Sequence, residues 1–266
     1  MKIYISADIE GITGTTHWDE ADKKKSDFKE FQEQMTAEVA AACEGALSVG
    51  ATEILVKDAH DIARNIIASK LPREVRLVRG WSGHPFSMVQ YLDETFHAVL
   101  MIGYHSRAGL DTNPLAHTIA SESVARIKIN DRYASELLLH AYAAALVNVP
   151  VVFVSGDAGI CEEAESLNPN IVTTAVKQGV GNSTISIHPH LAVEKIRDSA
   201  QMALDGDVSR CHIQMPERFP VEIEFRDHAK AYQSAFFPGA SLKNPHTIQF
   251  RSDDYFEVLR LLLFVI

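Results

Sequence analysis

Apolar runs of strand length recur along the first part of the chain, at residues 2–8, 53–57, 75–78, 97–104 and 149–155. The nearly continuous ones, such as AVLMIGY and VPVVFV, are what strands covered on both faces of a parallel sheet require. Between the first two runs, Phe28, Phe31, Met35, Val39, Ala42 and Leu47 recur at helical spacing over residues 28–49, and Gly50 follows as a natural helix stop. The opening therefore predicts β-α-β. Its repetition predicts an α/β, three-layer sandwich with a mostly parallel, Rossmann-like sheet, in which sites gather at the carboxyl ends of the strands.

One stretch departs from that rhythm. In ARIKINDRYASELL two alternating segments flank Asn130 and Asp131, a pair suited to a tight hairpin turn. A helix is expected directly after it, with Ser135 as N-cap, Glu136 in its first turn and an end near Asn148. Beyond Gly156 come a short helix in CEEAESLNPN, a strand in IVTTAVK, a Gly/Ser/Asn loop and a helix in HLAVEKIRDSAQMAL. VEIEFRD alternates as a half-exposed antiparallel strand does, and TIQF and a final helix from Asp253 complete the chain. This change of pattern divides the chain into residues 1–156, a catalytic α/β domain, and residues 157–266, a smaller α/β domain with antiparallel strands.

Composition narrows the function. The 266 residues are 46% apolar and 23% charged, an ordinary globular balance able to bury a core without metals or disulfides. A net charge of −10 repels phosphate backbones and anionic lipid, so nucleic acid and membrane surfaces are not expected as partners. Cys43, Cys161 and Cys211 are far apart and form no metal-binding spacing, as in a reducing compartment. The N-terminal apolar run is broken by Asp8 and Glu10, unlike a secretory signal, and no run approaches the ~18 residues of a membrane span. A cytoplasmic protein is expected. No dinucleotide glycine fingerprint, phosphate-binding P-loop or nucleophile elbow is present.

Five ionisable side chains stand where predicted strands end or a helix begins: Asp8 and Glu10 in SADIEG, His60 in VKDAHD, His105 in MIGYHSRAG, and Glu136. Residues two apart on an extended chain point to one side, so Asp8 and Glu10 can face the same cation. The strand ends carrying Asp8, His60 and His105 lie along one edge of a parallel sheet. Two imidazoles and three carboxylates suit two divalent ions such as Zn²⁺ if one carboxylate bridges. Each residue also has an ordinary reading. Glu136 fits a first-turn acid favoured by the helix dipole, Asp8 and Glu10 a solvated turn, and each histidine a loop residue after a strand. His117, in NPLAHTIA, can return over the same edge as proton shuttle or nucleophile, or stand on a surface loop. His84, His188 and His190 give weaker signals in turns, and Asp157 reads as an N-cap or a hydrogen-bond partner behind a ligand.

The segments KIYISADIEGITG, VKDAH, HPFSMVQYLDETFHAVLMIGYHSRAG, LAHTI, IKINDRYASELLLHAY, VPVVFVSGD and EEAESLNPNIVTTAVKQG resemble the zinc-dependent D-aminopeptidases of the DppA type. The resemblance implies two zinc ions per subunit bound by Asp8, Glu10, His60, His105 and Glu136, with His117 as the catalytic histidine. It also implies a cytoplasmic homo-oligomer, a ring-shaped decamer, cleaving small peptides or amides with an N-terminal D-residue such as D-Ala. A carboxylate shared between the ions would most simply be Asp8. Two rival functions remain open on the residues alone: a metal-dependent hydrolase of another amide or a phosphoester, and a non-catalytic peptide-binding protein of a transport system.

Overall fold

In the computed structural model, which describes residues 1–266, the chain runs β1 (Lys2–Ala7), α1 (Trp18–Ala21), α2 (Phe28–Ser48), β2 (Glu53–Asp58), β3 (Val75–Val78), β4 (Ala98–Tyr104), β5 (Val124–Ile129), β6 (Arg132–Tyr133), α3 (Glu136–Leu146) and β7 (Val151–Asp157). It continues through α4 (Ala158–Leu167), β8 (Val172–Val180), β9 (Ser183–Ser186), α5 (Pro189–Asp205), β10 (Phe219–Phe225), α6 (His228–Ser234), β11 (Ser241–Asn244), β12 (Thr247–Ser252) and α7 (Tyr255–Val265). Seven strands form one sheet in the order β3-β2-β1-β4-β7-β8-β9, parallel except for β9. The apolar sequence of β4 and the apolar first four residues of β7 place these strands at its centre, where every residue of both is buried.

The strand order reverses between β1 and β4. From β1 the chain steps outward to β2 in one direction, and from β4 it steps to β7 in the other. Right-handed crossovers then put α2 on one face and α3 with α4 on the opposite face. The packing agrees, since α2 lies against α5, whereas α3 lies against α7. A sheet of this order opens a crevice at the carboxyl ends of the strands flanking the reversal. Those ends are level here, because Ala7 pairs with Asp58 on one side and with Ile102 on the other.

The second sheet is antiparallel, in the order β11-β12-β10-β5-β6. Its β5-β6 hairpin turns through Asn130 (φ 48°) and Asp131 (φ 65°), the left-handed pair that a two-residue turn demands. The helix expected after it begins at Glu136, with the Ser135 hydroxyl accepting from the Leu138 amide. A core of 71 buried residues draws on both sheets.

The division expected at residue 156 does not follow the sheets. β8 and β9 extend the first sheet, and the β5-β6 hairpin from the earlier half joins the second. Half-exposed alternation suits an antiparallel partner and not a doubly covered parallel strand. The stretch expected as a Gly/Ser/Asn loop is largely a β8-β9 hairpin turning at Gly181, and the short elements α1, α6 and β11 carry too few residues to show a periodicity.

Two glycines allow the crevice to close at its base. Gly11 donates its amide to the Gly103 carbonyl at 2.8 Å. Gly103 has φ +70°, and a Cβ there would fall 2.3 Å from the Asp8 carbonyl oxygen. Gly103→Ala is therefore expected to cost roughly 3 kcal/mol or more in urea unfolding, by backbone strain plus displacement of the Asp8 segment. A shift below about 1 kcal/mol would show that β1 and β4 can part without cost, against this account.

Candidate metal centre

Asp8, His60 and His105 follow the ends of β1, β2 and β4, Glu136 opens α3, and His117 stands on the loop between β4 and β5. Asp8 follows β1, its amide donating to the Ile102 carbonyl at 2.9 Å and its Oδ1 accepting from the Ile9 amide at 2.9 Å. The chain does not stay extended to Glu10 as alternation implied. It turns there, and the Glu10 carbonyl is held by Asn113 Nδ2 at 2.9 Å and by the buried Lys177 ammonium. His60 lies in the segment after β2, which Asp58 clamps by accepting from the Ile66 amide at 2.8 Å and from Asn65 Nδ2 at 2.9 Å.

The imidazoles are oriented by carbonyls, which only accept. His60 Nε2–H therefore donates to the Ala21 carbonyl at 2.8 Å, which leaves Nδ1 to face Asp8 Oδ1 at 3.3 Å and Glu10 Oε2 at 3.0 Å. His105 Nδ1–H donates to the Ser106 carbonyl at 2.9 Å, and its Nε2 faces Asp8 Oδ2 at 3.6 Å and Glu136 Oε2 at 3.4 Å. His117 Nδ1–H donates to the Leu115 carbonyl at 2.9 Å, with Nε2 lying 3.6 Å from Glu136 Oε1. The His117 ring stacks on His105 with centroids 4.4 Å apart. Glu136 Oε1 is fixed by the Ile119 amide at 2.6 Å, and Ile119 is held at φ 65°, a costly conformation for a β-branched residue.

The six residues form two triads, Asp8-Glu10-His60 and His105-His117-Glu136, each with ligand atoms within 4.8 Å of one another. Asp8 joins them by turning one oxygen to each. The donor set fits divalent cations on two grounds. Its nitrogen and oxygen chemistry is that of zinc-type sites. Moreover, Glu10 Oε2 and His105 Nε2 are buried without a hydrogen-bond partner, which is costly unless another group completes them.

Electrostatics point the same way. Burial, and then the charge of Glu10, push the Asp8 carboxyl well above its usual range. Burial also opposes ionisation of Glu10 and Glu136, but His60 holds the first well below the carboxylate range, and His105 holds the second down at about 2. Against burial, Glu10 and Asp8 raise His60 well above its usual value, and Glu136 with Asp8 raises His105 to about 10. Three clustered carboxylates thus demand positive charge, and protons on the two imidazoles meet it until a cation replaces them. His117 moves the other way: burial and then the charge of His105 lower it, so it stays neutral.

All six residues expected from the sequence meet at this point. Asp157 also plays the expected part, capping α4 through the Ile160 amide while accepting from the Ser106 amide at 2.7 Å behind His105. His188 instead caps α5, and His84 packs beside Phe86 and Phe256, both away from the centre. Sequence reading missed the surroundings. The centre opens into a cavity of about 840 Å³ whose wall includes Trp18, Trp81 and Ile119, with Asp22, Asp61, Glu122 and Lys24 also lining it. The one legible hint was Lys177, the single charged residue in the strand segment IVTTAVK.

The comparisons with known proteins extend over the whole chain. A family model described as D-aminopeptidase matches residues 1–264. A D-aminopeptidase of Bacillus subtilis (strain 168) is 35% identical over 265 residues, which cover 99% of this chain and 96% of that protein. The fold superposes with a TM-score of 0.93 on the Zn-dependent D-aminopeptidase DppA from Bacillus subtilis, a self-compartmentalizing protease, at 34% identity and with 100% of this chain and 96% of that chain covered.

Because Asp8 faces both triads, Asp8→Ala should lose most bound divalent metal, whereas His60→Ala should lose about half, as read by elemental analysis after dialysis. Wild-type metal content in the Asp8→Ala protein would remove that residue from the centre.

Proposed function

The chain belongs to the D-aminopeptidase family, and from that premise we propose that it is a dinuclear zinc aminopeptidase that hydrolyses small peptides or amides with an N-terminal D-residue such as D-Ala. One observation carries the reading: two buried triads joined by the Asp8 carboxylate at the sheet's switch point, in a chain matched from residue 1 to 264. Asp8, Glu10 and His60 would hold one ion, and Asp8, His105 and Glu136 the other. Bound there, zinc supplies Lewis acidity, polarising a scissile carbonyl and acidifying a water.

The protein's own groups do the rest. His117 is neutral, and with its proton fixed on Nδ1 its Nε2 presents a lone pair toward the centre. We assign Nε2 the proton from the attacking water and its return to the departing amine. Direct attack by Nε2 on the carbonyl is the competing route, with the same dependence on His117. Asp22, Asp61 and Glu122 give the cavity a negative field that suits a free α-ammonium, the group by which an aminopeptidase measures a chain end.

The reading extends to a cytoplasmic homo-oligomer, a ring-shaped decamer with small peptides as partners. The three unpaired cysteines support the location. The self-compartmentalizing relative supports an assembly. So does exposed apolar surface at Tyr232, Phe236, Leu263 and Phe264, while Leu259, Leu261, Leu262 and Val265 of the same C-terminal segment are buried in the core.

With zinc bound, release of amine from D-alaninamide and D-Ala dipeptides is expected, chelator-sensitive and absent from the L-series. Equal cleavage of both series would overturn the stereochemical part, and cleavage of phosphoesters alone would move the reaction to another bond. His117→Ala should keep its zinc and lose roughly 10²-fold or more in turnover. Loss of zinc in that variant would make His117 a ligand instead.

A further inference from the structure

The chain has two tryptophans, and both line the cavity above the metal ligands. Trp18 and Trp81 are 41% and 43% exposed, which leaves large apolar rings facing solvent in a cavity otherwise rich in charge. Trp81 is nevertheless tightly held. Its indole N–H donates to the Asp61 carbonyl at 2.6 Å, and the Lys57 ammonium stands 3.8 Å from its ring centroid. Lys57 is itself buried in β2 and donates to the Gly80 carbonyl at 2.9 Å. Burying a lysine beneath a half-exposed ring costs solvation and brings little core in return.

The segment that holds the ring is continuous with the metal centre. Asp61 directly follows His60 and adopts φ 43°, Ala63 adopts φ 52°, and the Ala63 carbonyl accepts from the Gly80 amide at 2.7 Å. Positive φ is uncommon for residues other than glycine, and at Ala63, which has no polar side chain to support it, the surrounding contacts must hold it. The ring is thus indexed to His60 through a single residue. Since Lys57 covers one face, the opposite face and edge are what the cavity meets. A cation on one face draws the ring's π-density toward itself and leaves the other a poor seat for a second cation, though a good one for an apolar side chain.

Trp18 marks the other side of the cavity, with its ring 5.3 Å from that of His117. If His117 returns a proton to the departing amine, the leaving portion of the substrate lies there. The portion across the scissile carbonyl then points toward His60 and Trp81. Resting on the aminopeptidase reading above, we infer that Trp81 is a specificity-determining wall that packs against the side chain of the substrate's N-terminal residue and limits its size.

The test compares kcat/KM for D-alaninamide, D-leucinamide and D-phenylalaninamide on the zinc-loaded wild-type, Trp81→Phe and Trp81→Ala proteins, with zinc content measured on each. Trp81→Ala should raise the leucinamide-to-alaninamide ratio by roughly 10-fold or more, the usual worth of a pocket dimension. Trp81→Phe keeps a ring over Lys57 and should raise it less. An unchanged ratio at unchanged zinc overturns the inference. A wild-type protein that hydrolyses no D-aminoacyl amide defeats the aminopeptidase reading instead. The wall is then judged by the emission of Trp18→Phe protein, whose sole fluorophore of this kind is Trp81, titrated with D-alaninamide and D-leucinamide. A saturable change that is tighter for D-alaninamide supports the wall, and no change for either overturns it.

Discussion

The shared carboxylate of Asp8 sets the terms for the rest of the molecule. One of its oxygens faces His60 and the other His105, so a single side chain must lie between the ends of β2 and β4. Only a residue at the end of the strand between them, β1, can do this. Hence the strand order around β1, the level ends of its neighbours, and the need for backbones at Asp8 and Gly103 to approach more closely than a side chain would allow. The switch point is where a doubly wound sheet leaves room for a ligand. Here it is lined from below by the carboxylate and from the sides by imidazoles.

Assembling three carboxylates out of water is unfavourable unless positive charge joins them. The fold supplies part of the compensation from behind. Lys177 reaches from β8 to the carbonyls of Glu10 and Thr15, and Asp157 anchors the loop after His105 through Ser106 and Asn113. None of these groups lines the cavity; they hold the backbone that carries the two triads. The remaining demand is met by protons on His60 and His105, the same atoms that a metal would take. An arrangement that clusters so many buried ionisable groups at the floor of an open cavity is built for a bound cation more than for stability.

Much of this was legible in the sequence because it rests on strand ends. Asp8, His60 and His105 each follow an apolar run long enough to be recognised, and parallel pairing brings such ends together without further information. Glu136 was placed by the Asn130-Asp131 turn and the Ser135 cap, both local signals that the structure repeats. The cavity wall was not legible. Trp18 lies on a four-residue helix, and Trp81 in an irregular stretch whose position depends on Lys57 and Asp61. Neither has a period to read, and their roles come from contacts across the fold. Ile119 was hidden for the same reason, since its left-handed backbone goes with a contact across the fold, its amide donating to the Glu136 carboxylate.

The two sheets do not divide at residue 156, for a reason that bears on the site. The hairpin between β4 and α3 interrupts the parallel rhythm of the sequence, and its strands belong to the second sheet. That sheet is therefore joined to the catalytic crevice through the segment that carries His117, Ile119 and Glu136. Thr118 makes the tie explicit: its hydroxyl donates to the Ala134 carbonyl at 2.8 Å, pinning the loop of His117 to the end of the hairpin, and it accepts from the Ala108 amide at 3.2 Å. Asp8, His60 and His105 follow strands of the first sheet, whereas Glu136 opens the helix that follows the β5-β6 hairpin of the second, so the two sheets share one site and one core.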